Sequence, residues 1–169
     1  MRENELLNKA YTKLHKALFE LQADDIGVSF PEYRIKLGQI LRIHSTEPRL
    51  TQLQQLNWLG GLSGYCKVSA IQAIPSKVMY RTVSRVQTTM TSAKLQRLIK
   101  RGTIAENDIK QYKAKMFQQG LDNPYLEIES ASNGHLHRRY LEFGALTETP
   151  IPSRFNQFGL SKIATIPWF

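Results

Sequence analysis

The chain has 169 residues, 41% of them apolar, which suits one compact domain or two small ones and excludes wholesale disorder. Its one cysteine, Cys66, excludes an intramolecular disulfide and a cysteine-built metal site. The 23 Lys and Arg outnumber the 14 Asp and Glu, for a net charge of +9.

That excess is local. Residues 1–76 carry 9 basic and 7 acidic side chains, 77–115 carry 10 and 2, and 116–169 carry 4 and 5. Positive charge focused on one segment favours a polyanion, most often a nucleic acid. No apolar run approaches the roughly 18 residues of a membrane helix. The opening MRENELLNKAY lacks the apolar stretch of a signal peptide. A cytoplasmic protein with no membrane partner is expected.

The first element is a helix over Glu5–Leu21. Leu7, Ala10, Tyr11, Leu14, Ala17, Leu18 and Leu21 recur at the spacing of one buried face. His15 lies just outside that stripe, about 100° from Leu14. It is therefore rooted against the packed side with its ring at the edge. IGVSF (26–30), stopped by Pro31, and QILRIHS (39–45) read as strands. His44, on the second, reads as a structural or surface residue. Leu50, Leu53, Leu56 and Leu59 mark a helix after Thr46, ended by Gly60 and Gly61. YCKVSAI (65–71) reads as a further strand, with Pro75 closing the unit. One strand in front would complete a ferredoxin-like β-α-β-β-α-β unit. MREN is too short and too polar to supply it, so the expectation is a start upstream or another segment in that slot.

The basic segment opens with RTVSRVQTT (81–89), an extended run that sets Arg81, Val83, Arg85 and Gln87 on one side. In SAKLQRLIKR, Leu95, Leu98 and Ile99 share one helix face and Lys94, Arg97, Lys100 and Arg101 the opposite arc. No acid lies among these cations to relieve their repulsion, and four on one face match a ladder of phosphates. Arg85 and Gln87 are of the types that read guanine and adenine edges. A further helix follows, with Thr103 and Glu106 as a capping box, Ile109, Tyr112 and Met116 as its stripe, and Gly120 as its end.

The last third reads as a hairpin. YLEIES (125–130) and HLHRRYLEF (135–143) flank the turn SNG, which gathers Ser130, Ser132, His135 and His137. Glu127 and Glu129 alternate with apolar residues and face solvent. Pro167, Trp168 and Phe169 form a terminal plug. No carboxylate cluster suits a metal nuclease, and no G-x-S-x-G elbow or phosphate-cradling glycine loop occurs. Histidine, serine and positive charge remain. They suit metal-free RNA cleavage, in which the substrate's own 2′-hydroxyl attacks the neighbouring phosphate.

KLHKAL, IGVSFP, LGQILRIHS, YRTVSRVQ and FGLSKIATIPWF, in this order, resemble the CRISPR-associated repeat-RNA endoribonucleases of type I-F systems. The resemblance runs from about residue 6 to the C-terminus. It implies an α+β protein: a ferredoxin-like domain over 1–76, its first strand missing, and a second domain over 77–169 with a basic helix and a β-hairpin. It implies binding of the CRISPR repeat hairpin and a cut at the 3′ base of its stem, with no metal or other cofactor and a cyclic phosphate product. It implies further that the enzyme stays on the mature guide RNA with the other subunits of the surveillance complex.

By the same resemblance, His15 is the catalytic histidine and Ser130 the catalytic serine, with Ser132 nearby. Arg85 and Gln87 read bases, and Lys94, Arg97, Lys100 and Arg101 lie on the groove-inserting helix. Phe158 stands where the family has Tyr, and His137 about where it has a base-stacking aromatic. Two other readings compete: a non-catalytic subunit that holds the RNA hairpin, and a DNA-binding or regulatory protein.

Overall fold

The structure, a computed structural model, describes residues 2–87, 92–118, 123–130 and 132–169. The fold is α+β. In chain order come α1 (Glu3–Glu20), β1 (Gly27–Ser29), β2 (Arg42–His44), α2 (Glu47–Gln55) and a 3-10 helix (Gly60–Tyr65). Then follow β3 (Met79–Arg81), β4 (Val83–Val86), α3 (Ser92–Arg101), α4 (Glu106–Gln118), β5 (Tyr125–Glu129), β6 (Leu136–Phe143) and β7 (Ile166–Trp168). The chain divides into two compact units, residues 1–85 with 124–169, and residues 86–123. No described helix is long and apolar enough to cross a membrane.

The larger unit is built on the stripe of α1. Leu7, Ala10, Tyr11, Leu14, Ala17 and Leu18 are all buried, Leu14 and Leu18 completely. All but Ala10 pack with Ile26, Val28, Phe30, Leu53, Val83, Leu126, Leu141, Leu160 and Ile166 into one core. Three small antiparallel sheets surround it: β1 with β2, β3 with β7, and β4-β6-β5. Glycine at position 27 lets β1 approach β7 closely, since a Cβ there would stand 2.7 Å from Ile166 Cγ2.

The structure departs from the sequence pattern at several points. QILRIHS forms a strand only over β2. YCKVSAI is not a strand; it leaves the 3-10 helix as irregular chain with Val68 exposed. Its alternating pattern finds no neighbouring strand to pack against, and strand propensity counts for little without one. RTVSRVQ is two strands rather than one, because β3 pairs with β7 while β4 joins β6. Arg81 is accordingly held by the β3–β7 side of the fold. Its Nε donates to the Gly144 carbonyl at 2.9 Å, and its guanidinium lies 4.7 Å from the Trp168 ring centre. The terminal plug is strand β7, in register with β3 from Met79↔Trp168 to Arg81↔Ile166.

In the smaller unit, α3 and α4 form as expected, with Leu95 buried and Ile99 exposed. The capping box is not made. The Thr103 hydroxyl donates to the Leu98 carbonyl at 3.3 Å, closing α3, and α4 begins at Glu106. Gly120 lies outside the described residues.

Candidate active site

His15 is positioned by α1 on one side and by a tight turn over residues 156–160 on the other. Asn156 makes that turn. Its Oδ1 accepts the backbone N–H of Phe158 at 2.9 Å and of Leu160 at 3.1 Å. Gly159 takes φ +70°, and a Cβ there would stand 2.8 Å from Val28 Cγ1. Only glycine fits both the left-handed backbone and the close approach to β1. The turn is tied to α1 by Tyr11, whose buried hydroxyl donates to the Phe158 carbonyl at 2.5 Å. Burial pushes the Tyr11 phenol well above its ordinary range, so it remains a donor.

The turn offers His15 a carbonyl and a ring. His15 Nδ1 lies 2.9 Å from the Gln157 carbonyl oxygen. A carbonyl only accepts, so Nδ1 carries the proton, and in the neutral imidazole Nε2 is the free acceptor. The Phe158 ring stacks on the imidazole with centres 3.7 Å apart and planes within 8°. Partial burial pulls the His15 pKa below its ordinary value. The Gln157 carbonyl opposes this, and Arg139 and Lys16 reinforce it. The result is a half-buried imidazole, neutral at physiological pH, with a lone pair of fixed direction. Such a group is a proton acceptor.

The hairpin forms as expected, with β5 and β6 in register from Tyr125↔Tyr140 to Glu129↔Leu136. Ser130 Oγ and Ser132 Oγ are brought together, 2.9 Å apart at the turn. The turn closes through the Ser130 N–H to His135 carbonyl bond, 2.9 Å, with Gly134 at φ +67°. No hydrogen bond joins His15 to either serine among the described residues. Glu127 binds the Arg138 guanidinium at 3.3 Å, and Glu129 is exposed. His137 is exposed on β6, opposite Ile128.

Arg85 is half-buried on β4 and Gln87 exposed just beyond it. Lys94, Arg97, Lys100 and Arg101 are all exposed on α3, and Arg97 Nε donates to the Ala93 carbonyl at 3.3 Å. Among the described residues, no group of three or more His, Cys, Asp or Glu is arranged to hold a metal ion.

Three parts of the site escaped the sequence reading. Asn156 and Gln157 carry a weak signal, the turn-forming N-x-x-G of NQFG. Arg139 carries a better one: it shares strand register with Leu141 and Phe143, so a cation stands on an apolar face. His44 proves structural. Its Nε2 lies 2.7 Å from Ser29 Oγ, a hydroxyl that is only 1% exposed, and burial pulls its pKa down to about 4.

A neutral imidazole aimed outward, with a guanidinium and exposed cations in the same chain, is equipment for proton transfer on a phosphodiester. The comparisons agree with that class. The chain belongs to the Cas_Csy4 family of CRISPR-associated proteins, whose model matches residues 1–169. It is 34% identical over 165 residues to the CRISPR-associated endonuclease Cas6/Csy4 of Escherichia coli strain UTI89, covering 97% of this chain and 90% of that protein. It is also 34% identical over 169 residues to the protein of the same name from Pseudomonas aeruginosa strain UCBPP-PA14, covering 98% of this chain and 90% of the relative.

Proposed function

We propose that this protein is an endoribonuclease that cuts the CRISPR repeat hairpin at the 3′ base of its stem and needs no metal. The observation that carries the reading is the contact of His15 Nδ1 with the Gln157 carbonyl oxygen at 2.9 Å. With Nδ1–H held by the Gln157 carbonyl, Nε2 is free to take the proton of a ribose 2′-hydroxyl. The 2′-oxygen then bonds to the adjacent phosphorus, and the bond from phosphorus to the 5′-oxygen breaks. The departing oxygen takes a proton from water, and a 2′,3′-cyclic phosphate remains. Ser130, hydrogen-bonded to Ser132, orients the ribose.

Residues 77–169 supply most of the RNA-binding surface. Arg85 and Gln87 read base edges, His137 stacks on a base, and Lys94, Arg97, Lys100 and Arg101 follow the phosphates of the stem. The protein stays on the mature guide RNA in the cytoplasm and joins the other subunits of a type I-F surveillance complex. Names of the relatives and the exposed cations of α3 support the substrate class.

The experiment is incubation of the protein with its own repeat hairpin in excess chelator, followed by mapping of both product ends. The reading expects a cyclic phosphate at the 3′ base of the stem and loss of cutting in H15A. Tight hairpin binding with no cleavage, with or without added metal, would replace it with a guide-holding subunit.

A further inference from the structure

Arg139 is the cation least explained by the fold. On β6 it stands opposite Leu126, which is fully buried, so its side chain enters the core-facing side of the hairpin. Its guanidinium carbon lies 3.6 Å from the centre of the Phe158 ring. His15 is stacked on that ring at 3.7 Å. Two groups at that height cannot share one face, so Arg139 and His15 cover opposite faces of Phe158. The phenyl ring is a spacer that fixes a guanidinium and an imidazole at one place.

The ring attracts the guanidinium, but the arrangement leaves one donor unsatisfied. Arg139 Nε is buried and has no hydrogen-bond partner, and burying a donor without a partner costs free energy. Among the described residues no Asp or Glu pairs with Arg139. Arg85, on the neighbouring strand β4, adds a second positive charge instead, and with burial it disfavours the charged guanidinium. Tyr11 is the opposing influence from α1. An unpaired donor, a second guanidinium that adds to its positive charge and no carboxylate partner among the described residues together describe a site awaiting an anion.

We propose that Arg139 binds the phosphate being cut, holding its non-bridging oxygens while His15 takes the 2′-hydroxyl proton. This rests on the reading of His15 as the base. The guanidinium fork presents paired N–H groups to phosphate oxygens and offsets the charge that grows on them in the transition state. Phe158, carrying no hydroxyl, contributes only the distance between the two groups.

The test is single-turnover cleavage of the repeat hairpin by wild type, R139M, R139K and H15A. Each uses the native hairpin and hairpins with one non-bridging oxygen of the cut phosphate replaced by sulfur. R139M is expected to cut about 100-fold more slowly, as when a transition-state donor is removed. Its hairpin Kd should stay within about threefold, and the wild-type preference between the two sulfur diastereomers should be lost. R139K, which keeps charge but lacks the fork, should recover about tenfold of the rate without the preference. Cutting by R139M within about threefold of wild type overturns the proposal. If R139M does not fold, R139K decides, and an unchanged sulfur preference in it overturns the proposal equally. H15A separates the two readings. An inactive H15A beside a fully active R139M sinks the role of Arg139 alone, whereas an active H15A sinks the reading of His15.

Discussion

His15 and His44 are both less basic than an ordinary imidazole, and both have a polar partner and an aromatic neighbour. Their difference lies in which nitrogen is occupied. His44 uses Nε2 on Ser29, a hydroxyl inside the core, with Phe169 edge-on at 6.3 Å. A serine beside a histidine looks like a nucleophile with its base, yet Ser29 has no access to substrate. His15 uses Nδ1 on a backbone carbonyl and keeps Nε2 for something outside. A free lone pair at the surface, rather than a serine nearby, distinguishes the histidine proposed as the base.

The largest expected effect separates the two rings directly. H15A should slow cleavage of the repeat hairpin by about 10²–10⁴-fold, the usual worth of a positioned general base, with binding retained. H44N should leave the rate at saturating hairpin unchanged, as single-turnover kinetics would check. The next effect belongs to His44. Its folded pKa of about 4 lies below the ordinary 6.5, so the unfolded chain takes up the proton first as pH falls. Its stability contribution is full above pH 6.5 and is lost as pH drops to about 4, a loss of about 3 kcal/mol. Denaturant unfolding across that window should show the slope, and H44N should flatten it.

Why one histidine was legible and the other detail was not follows from where the information sits. The stripe of α1 is local, so Leu14, Leu18 and the rim position of His15 could be read from spacing. The hairpin and its serines were legible because alternation and the SNG turn lie within 20 residues. The partner of His15 is 142 positions away, and nothing local to KLHKAL announces a carbonyl there. The strand assigned to YCKVSAI failed for the same reason, since a strand exists only if another pairs with it. Arg139 shares its register with Leu141 and Phe143, but only the pairing of β6 with β5 sets it opposite the buried Leu126.

Smaller effects refine the contrast. S29A removes the partner of His44 and should cost about 1–3 kcal/mol of stability without touching cleavage. Y11F removes the bond that ties the 156–160 turn to α1. It should cost about 1 kcal/mol while also slowing cleavage, because Phe158 and Gln157 then hold the imidazole less firmly. Thermal unfolding beside single-turnover rates distinguishes these two losses. Smallest of all, R97A or K100A should lower the slope of log affinity against log salt by about 1 each, at an unchanged rate of bound-state cutting. Both histidines should be indifferent to these changes.

The account stands most directly on the pH dependence of kcat/KM in chelator, which reports the free enzyme. It predicts a rate that rises with pH through a single midpoint below 6.5, reaches a plateau at neutrality, and disappears in H15A. A midpoint above 6.5, or an H15A enzyme that keeps the same profile, would contradict it.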